Sequence, residues 1–337
     1  NYVELSYGSL DYSVNGTTQA PVTHPMAKDQ TRRSVSGKFQ VGNLDVGITA
    51  FDSGALQLDG QNPAAGSTFV PSADVKIATQ ALVGRYSFNN GLSVSAGLRE
   101  SKVQGSTLTT TSSNYTINSA SGSGLVYGVS YQIPEYAMKV ELLRSEAFSV
   151  GLQGTATARG AYYQGIAGAT PLAFDPSSSL GIPAADTLKF QTGIAADTLV
   201  MASIHRVKWK PSQIDVNIDG NAMQQIVLNN QSTFENTTAY SLGLGRKLSE
   251  STSASLTYSW EKGTGPTSKS AFTLSNGSKT LSVGLKHTID ALTISGGLSY
   301  TKSGDVFVSG VTGAPGQTAN YTGNSVTAFG LKVGYNF

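Results

Sequence analysis

Cysteine is absent from the 337 residues. That removes disulfides, thiolate metal sites and cysteine nucleophiles together, and it is compatible with an exported protein. Only three histidines occur, His24, His205 and His287. Strand spacing brings none of them to a serine and an orienting polar group, so no catalytic constellation is expected. No paired ligand spacing appears either, so neither a metal nor a cofactor is expected. Charged residues make up only 13% of the chain, about half the usual share of a soluble domain. With a net charge of +2 and no basic cluster, nucleic acid is set aside as a partner. No charged, apolar and small-residue leader precedes Asn1, so any export signal is expected to have been removed already. Nor do about eighteen apolar residues run together anywhere, which excludes a transmembrane helix. A membrane-spanning strand needs only about ten alternating residues, a signal that a mean hydropathy of −0.11 conceals.

What the chain does have is glycine (38 residues), tyrosine (15) and alternation. It ends "VTAFGLKVGYNF", where Phe329, Leu331, Val333, Tyr335 and Phe337 share one strand face and Ala328, Gly330, Lys332, Gly334 and Asn336 the other. Leu292, Ile294, Leu298 and Tyr300 repeat the pattern, as do Leu256, Tyr258 and Trp260, and Leu125, Tyr127, Val129 and Tyr131. The opposite faces carry serine, threonine and glycine, as expected of a crowded or wet interior. The faces of the segments near 75–87 and 198–209 are ambiguous.

The connections alternate strictly in length. Short ones fall at Val41–Leu44, Asn89–Gly91, Pro134–Tyr136, Ala195–Thr198, Leu248–Ser251 and Thr288–Ala291, each with turn-forming Gly, Asn, Asp or Pro or a compact polar break. Long ones fall at about 15–30, 52–74, 104–122, 149–185, 208–232, 261–277 and 303–324. The result is a single all-β domain over 1–337: a transmembrane antiparallel barrel of fourteen strands, with short turns and both termini on the periplasmic side and long loops outside. A soluble β-sandwich would not need the two loop lengths to take turns.

"YVELSYGSLDYSVNG" (2–16), "LSVSAGLRESKVQGSTL" (92–108), "LKFQTGIAADTLVMASIHRVKWK" (188–210), "AYSLGLGRKLSES" (239–251) and "SVTAFGLKVGYNF" (325–337) resemble, in order, segments of the FadL/TodX family of outer-membrane transporters of hydrophobic compounds. The resemblance implies passive uptake of long-chain fatty acids or other greasy molecules across the Gram-negative outer membrane. It also implies an N-terminal plug, which has no counterpart ahead of the first strand in this sequence. A third implied feature is a kink in the third strand that opens the wall towards lipid. Phe51 and Gly54 of "FDSGA" lie at the matching place; glycine within a strand often marks a bulge, although 52–54 could equally begin the second long loop.

Alternation turns Lys38, Arg99, Lys139, Lys189, Lys286 and Lys332 inward, with Glu4, Asp45 and Glu141. Arg99 is the candidate for a ligand carboxylate, since guanidinium binds carboxylate bidentately; the alternative is an ion pair with Glu4, Glu141 or a plug. The fourth loop carries Tyr162, Tyr163, Leu172 and Phe174, which either pack on neighbouring loops or offer greasy ligands a groove. In the fifth loop, "NAMQQIVL" suits a short helix. The expectation is thus a monomeric, non-enzymatic channel for hydrophobic compounds, surrounded by outer-membrane lipid and lipopolysaccharide. An open diffusion pore for small polar solutes or anions, and a surface-exposed structural or adhesive barrel, are the alternatives.

Overall fold

The computed structural model describes residues 1–17, 23–25, 27–59, 72–265, 267–268, 272–309 and 318–337. Parts of the long connections at 15–30, 52–74, 261–277 and 303–324 therefore lie outside the described residues. Fourteen antiparallel strands close into a barrel. They are β1 (Tyr2–Ser13), β2 (Gln30–Val41), β3 (Leu44–Asp59), β4 (Ser72–Ser87), β5 (Leu92–Val103), β6 (Ala120–Ile133) and β7 (Met138–Ser145), followed by β8 (Ala184–Ala195), β9 (Thr198–Lys208), β10 (Thr237–Lys247), β11 (Thr252–Glu261), β12 (Ser278–Ile289), β13 (Leu292–Ser303) and β14 (Ser325–Asn336). No helix among the described residues is long and apolar enough to cross a membrane.

Closure explains the patterned terminus. β14 pairs with β1 along its whole length, from Tyr2 opposite Asn336 to Ser13 opposite Ser325. Beyond the ladder, the Phe337 N–H donates to the Asn1 carbonyl at 3.2 Å. The Phe337 ring meets Phe39 edge-on with centroids 6.4 Å apart and stacks on Tyr335 at 6.5 Å. These rings belong to an aromatic girdle at the short-turn end, with Tyr86, Phe88 and Tyr131 also exposed. Above it runs a band of outward aliphatics, Leu5, Ile48, Leu82, Leu98, Leu125, Leu242, Leu256, Leu281 and Leu298, each exposed. In water such a belt would be untenable; in hydrocarbon it is the solvated face. Register also settles the ambiguous strands: Leu82 and Tyr86 of β4 and Ile204 of β9 face outward.

The short turns rest on left-handed residues. Gly42 sits at φ 59° and Asp197 at φ 59°, the conformation that a tight turn between twisted strands demands.

The packed core is not in the barrel but in a cap at the long-loop end. Leu58, Val103, Tyr115, Val150, Leu180, Val216 and Leu228 form one buried cluster drawn from the upper wall and the loops. A four-stranded sheet runs through it, from Phe148–Gly151, Ser179–Ile182, Ile214–Val216 and Asn230–Gln231. Two helices, α1 (Gly160–Ala167) and α2 (Ala222–Leu228), pack on each other and on the strand Gly154–Ala158. α2 is the helix expected in "NAMQQIVL". It starts in a capping box, with Asn221 Oδ1 accepting from the Gln224 N–H at 3.1 Å and Gln224 Oε1 accepting from the Asn221 N–H at 2.9 Å. Burial of a Leu or Val side chain stabilises by about 1.5–3 kcal/mol, so the cap has its own source of cohesion.

Candidate functional site

The ladder between β2 and β3 is interrupted. It runs from Val41 opposite Leu44 to Ser34 opposite Phe51 and then stops. It resumes only at a bridge between Ala27 and Leu58, next to a bond from the Lys28 N–H to the Gln57 carbonyl at 3.2 Å. In between, β2 stays paired to β1 and β3 to β4, so the two halves of the wall part without either strand ending. The cause lies in β3, whose register against β4 shifts between Asp52 and Gly54. Ser53 is the extra residue. Its hydroxyl donates to the Ile77 carbonyl at 3.1 Å and accepts from Thr79 Oγ1 at 2.7 Å, which anchors the bulge to β4. Residues 52–54 are therefore a bulge within a strand that continues to Asp59, not the start of the second loop.

Free ladder groups at a wall facing lipid must find partners. Here they do: Asp52 Oδ2 accepts from the Arg33 N–H at 2.9 Å, and Arg32 Nη1 donates to the Asp52 carbonyl at 3.3 Å. The gap thus has a finished sill. A cavity of about 970 Å³ lies against the gap on the outer wall, and one of about 520 Å³ lies on the lumenal side. Both are lined by Ser6, Tyr7, Arg33, Ser34, Phe51 and Asp52. The outer cavity has apolar sides in Leu5, Val35 and Ala50. Phe51 sits where the two meet. Gly54 lies just above, and a methyl group there would meet Ile77 only at 3.7 Å; the bulge does not depend on its being glycine.

Charges in the lumen are mostly answered. Asp45, buried, takes Arg85 and Lys38, the latter at 3.8 Å. Glu141 takes Lys139 at 2.7 Å and Lys189 at 3.5 Å, while Glu4 takes Lys332 at 3.0 Å. Near the short turns a further cavity of about 630 Å³ is lined by Gly193, Gly245, Ser255, Gly284 and Gly296, with Lys247 and Lys286.

Arg99 forms neither ion pair named for it in the sequence. Its Nη2 donates to the Glu146 carbonyl at 2.9 Å and to the Pro183 carbonyl at 3.1 Å, and its guanidinium lies 5.2 Å from the centre of the Phe148 ring. It clasps both ends of the fourth loop, and its Nε is buried without a hydrogen-bond partner among the described residues. Of the loop aromatics, Phe174 is buried with its ring edge-on to Tyr115, centroids 6.4 Å apart. Tyr163 and Leu172 pack half-buried on the same cluster, and Tyr162 projects from α1 into solvent. The structure thus brings Phe51 and Gly54 together at the gap, some way from the fourth-loop residues. Sequence reasoning missed Ser6, Arg33 and Ser34, for which no pattern gave a signal; it marked Asp52 and Ser53 as a polar break beside Gly54 but gave neither a role. At the long-loop end, burial pushes up the phenols of Tyr115, in this cluster, and of Tyr321, in a second cap cluster with Val14, Val306 and Val308, and hydrogen bonds from Ser177 hold Asp175 below the usual carboxylate range.

No family model matches the chain, and no curated protein matches it in sequence. Solved structures do match. A Pseudomonas aeruginosa FadL homologue superposes over 100% of this chain and 90% of its own, with a TM-score of 0.75 at 11% identity. The Pseudomonas putida toluene transporter TodX covers 99% of this chain and 89% of its own, with a TM-score of 0.67 at 12% identity. The Ralstonia pickettii toluene transporter TbuX also covers 99% and 89%, with a TM-score of 0.64 at 12% identity. The resemblance read from the sequence holds as a common fold, that of the FadL-like barrels.

Proposed function

We propose that this barrel is a passive outer-membrane channel for hydrophobic compounds, acyl chains such as long-chain fatty acids among them, and that they leave it sideways through the gap between β2 and β3. The observation that carries this reading is the sharing of six residues by the outer-wall and lumenal cavities at a break in the ladder. A polar solute gains nothing from a sideways exit into lipid. An apolar one gains about 0.8 kcal/mol for each methylene it buries, so no energy coupling is required. In this reading Phe51 and Gly54 border the passage, the fourth loop with Tyr162 presents the first apolar surface to an arriving molecule, and Arg99 holds that loop in place. The termini and short turns face the periplasm. The FadL homologue and the toluene transporters with the same fold support the compound class.

The glycine-lined cavity near the short turns, with Lys247 and Lys286, favours a second reading, a diffusion pore for small polar solutes or anions. Proteoliposomes separate the two. The hydrophobic-channel reading expects a labelled monoaromatic or acyl compound to enter well above protein-free vesicles while a sugar of similar size does not. Sugar flux and large single-channel conductance, with no gain for the hydrophobic compound, would establish the pore instead.

A further inference from the structure

Lys279 on β12 and Lys302 on β13 stand directly opposite each other in the ladder. They share the outward face with Leu281 opposite Tyr300 and Val283 opposite Leu298. Both lysines are exposed. Side chains so placed have Cβ atoms about 5 Å apart, and like charges there repel. Several other outer-wall cations meet carboxylates: Lys76 reaches Asp74 at 3.5 Å, Arg144 reaches Asp186 at 2.8 Å, and Lys208 reaches Asp186 at 3.3 Å. Among the described residues no carboxylate pairs with Lys279 or Lys302. Their outward lateral neighbours are Trp260 on β11 and Ser325 on β14, neither acidic.

The surroundings say what would answer them. Trp260 stacks on Tyr240 with centroids 5.3 Å apart and on Tyr258 at 5.9 Å, an aromatic shelf of the kind found where hydrocarbon meets headgroup. The lysine pair stands beside this shelf, one outward step towards the long loops from the apolar row of Leu281 and Tyr300. A ligand that fits must therefore carry an anion at headgroup depth and acyl chains against Tyr258, Leu281, Leu298 and Tyr300. We propose that Lys279 and Lys302 bind the phosphate of a phosphorylated glycolipid of the surrounding leaflet, lipid A in chemical type, whose acyl chains lie on the wall below. The site is independent of what passes through the lumen and rests only on the long loops facing the leaflet that holds this lipid.

The test uses the full-length barrel in detergent, titrated with bisphosphorylated lipid A and read by native mass spectrometry. Wild type is expected to retain lipid A, and the double variant K279Q/K302Q to bind it roughly tenfold or more weakly, since each near-surface cation contributes to anionic-lipid attraction. K279R/K302R should retain binding, and K76Q, at an already paired lysine, should change nothing. Dephosphorylated lipid A should bind wild type as weakly as lipid A binds the double variant. Equal binding of lipid A by wild type and K279Q/K302Q, or indifference to dephosphorylation, overturns the proposal. Displacement of lipid A by millimolar inorganic phosphate overturns the lipid assignment, leaving a simple anion site. Unchanged heat-modifiable mobility of the variants keeps a folding defect apart from lost binding, and a failure here leaves the uptake reading untouched.

Discussion

At the residue scale, the gap depends on where individual polar groups end up. Asp52 is the clearest case, because its carboxylate covers an Arg33 N–H that the parted ladder leaves without a strand partner. Asp52→Ala should destabilise the barrel by about 1–3 kcal/mol, the cost of an unsatisfied donor away from water, as read from urea unfolding in vesicles. Gly54→Ala, which meets nothing closer than 3.7 Å, should be close to neutral in the same measurement. Sequence reading picked the glycine of that segment and saw in the aspartate and serine only a break in the alternation or the start of a loop. The lumenal charges were more legible. Strict alternation turned Lys38, Lys139, Lys189 and Lys332 to the same side as Glu4, Asp45 and Glu141, and all seven meet in ion pairs. Arg99 has the same parity but a different fate. Its partners are two backbone carbonyls of the loop above it, and no side-chain pattern announces a carbonyl.

At the scale of elements, strands and short turns were readable and the cap was not. A period of two against a lipid solvent leaves its mark on every strand, and turn residues leave theirs at Gly42 and Asp197. The cap sheet, by contrast, is built from strands as short as Asn230–Gln231 that pair within and between the fourth and fifth loops. Such segments are too short to show a period. α2 was an exception because its apolar run and its Asn221 cap are local. The cap also yields a prediction from pH. Tyr115 and Tyr321 are raised above the usual phenol value of about 10 by burial. Each folded site therefore holds its proton more tightly than the unfolded chain does, and the stability it adds is present below pH 10 and lost as pH rises through the folded value. Limited proteolysis of the long loops should accelerate above pH 10. Tyr321→Phe should weaken that dependence, whereas loop cleavage indifferent to alkali would contradict the role given to these phenols.

At the scale of the molecule, two solvents shape one chain. Lipid takes the outward aliphatics, the lumen takes small polar and paired charged groups, and the apolar core that a soluble protein would place centrally is moved to the loop cap. The wall departs from this plan where β2 and β3 part, and Ser53 is the residue responsible for the departure. Deleting Ser53 removes the extra residue, lets β3 keep one register against β4, and brings 52–56 back into line with β2. The decisive measurement is uptake of a labelled hydrophobic compound by membranes carrying this deletion, in a barrel whose heat-modifiable mobility matches wild type. Uptake falling to the level of membranes without the barrel is the predicted result. Undiminished uptake through the closed wall would contradict the account.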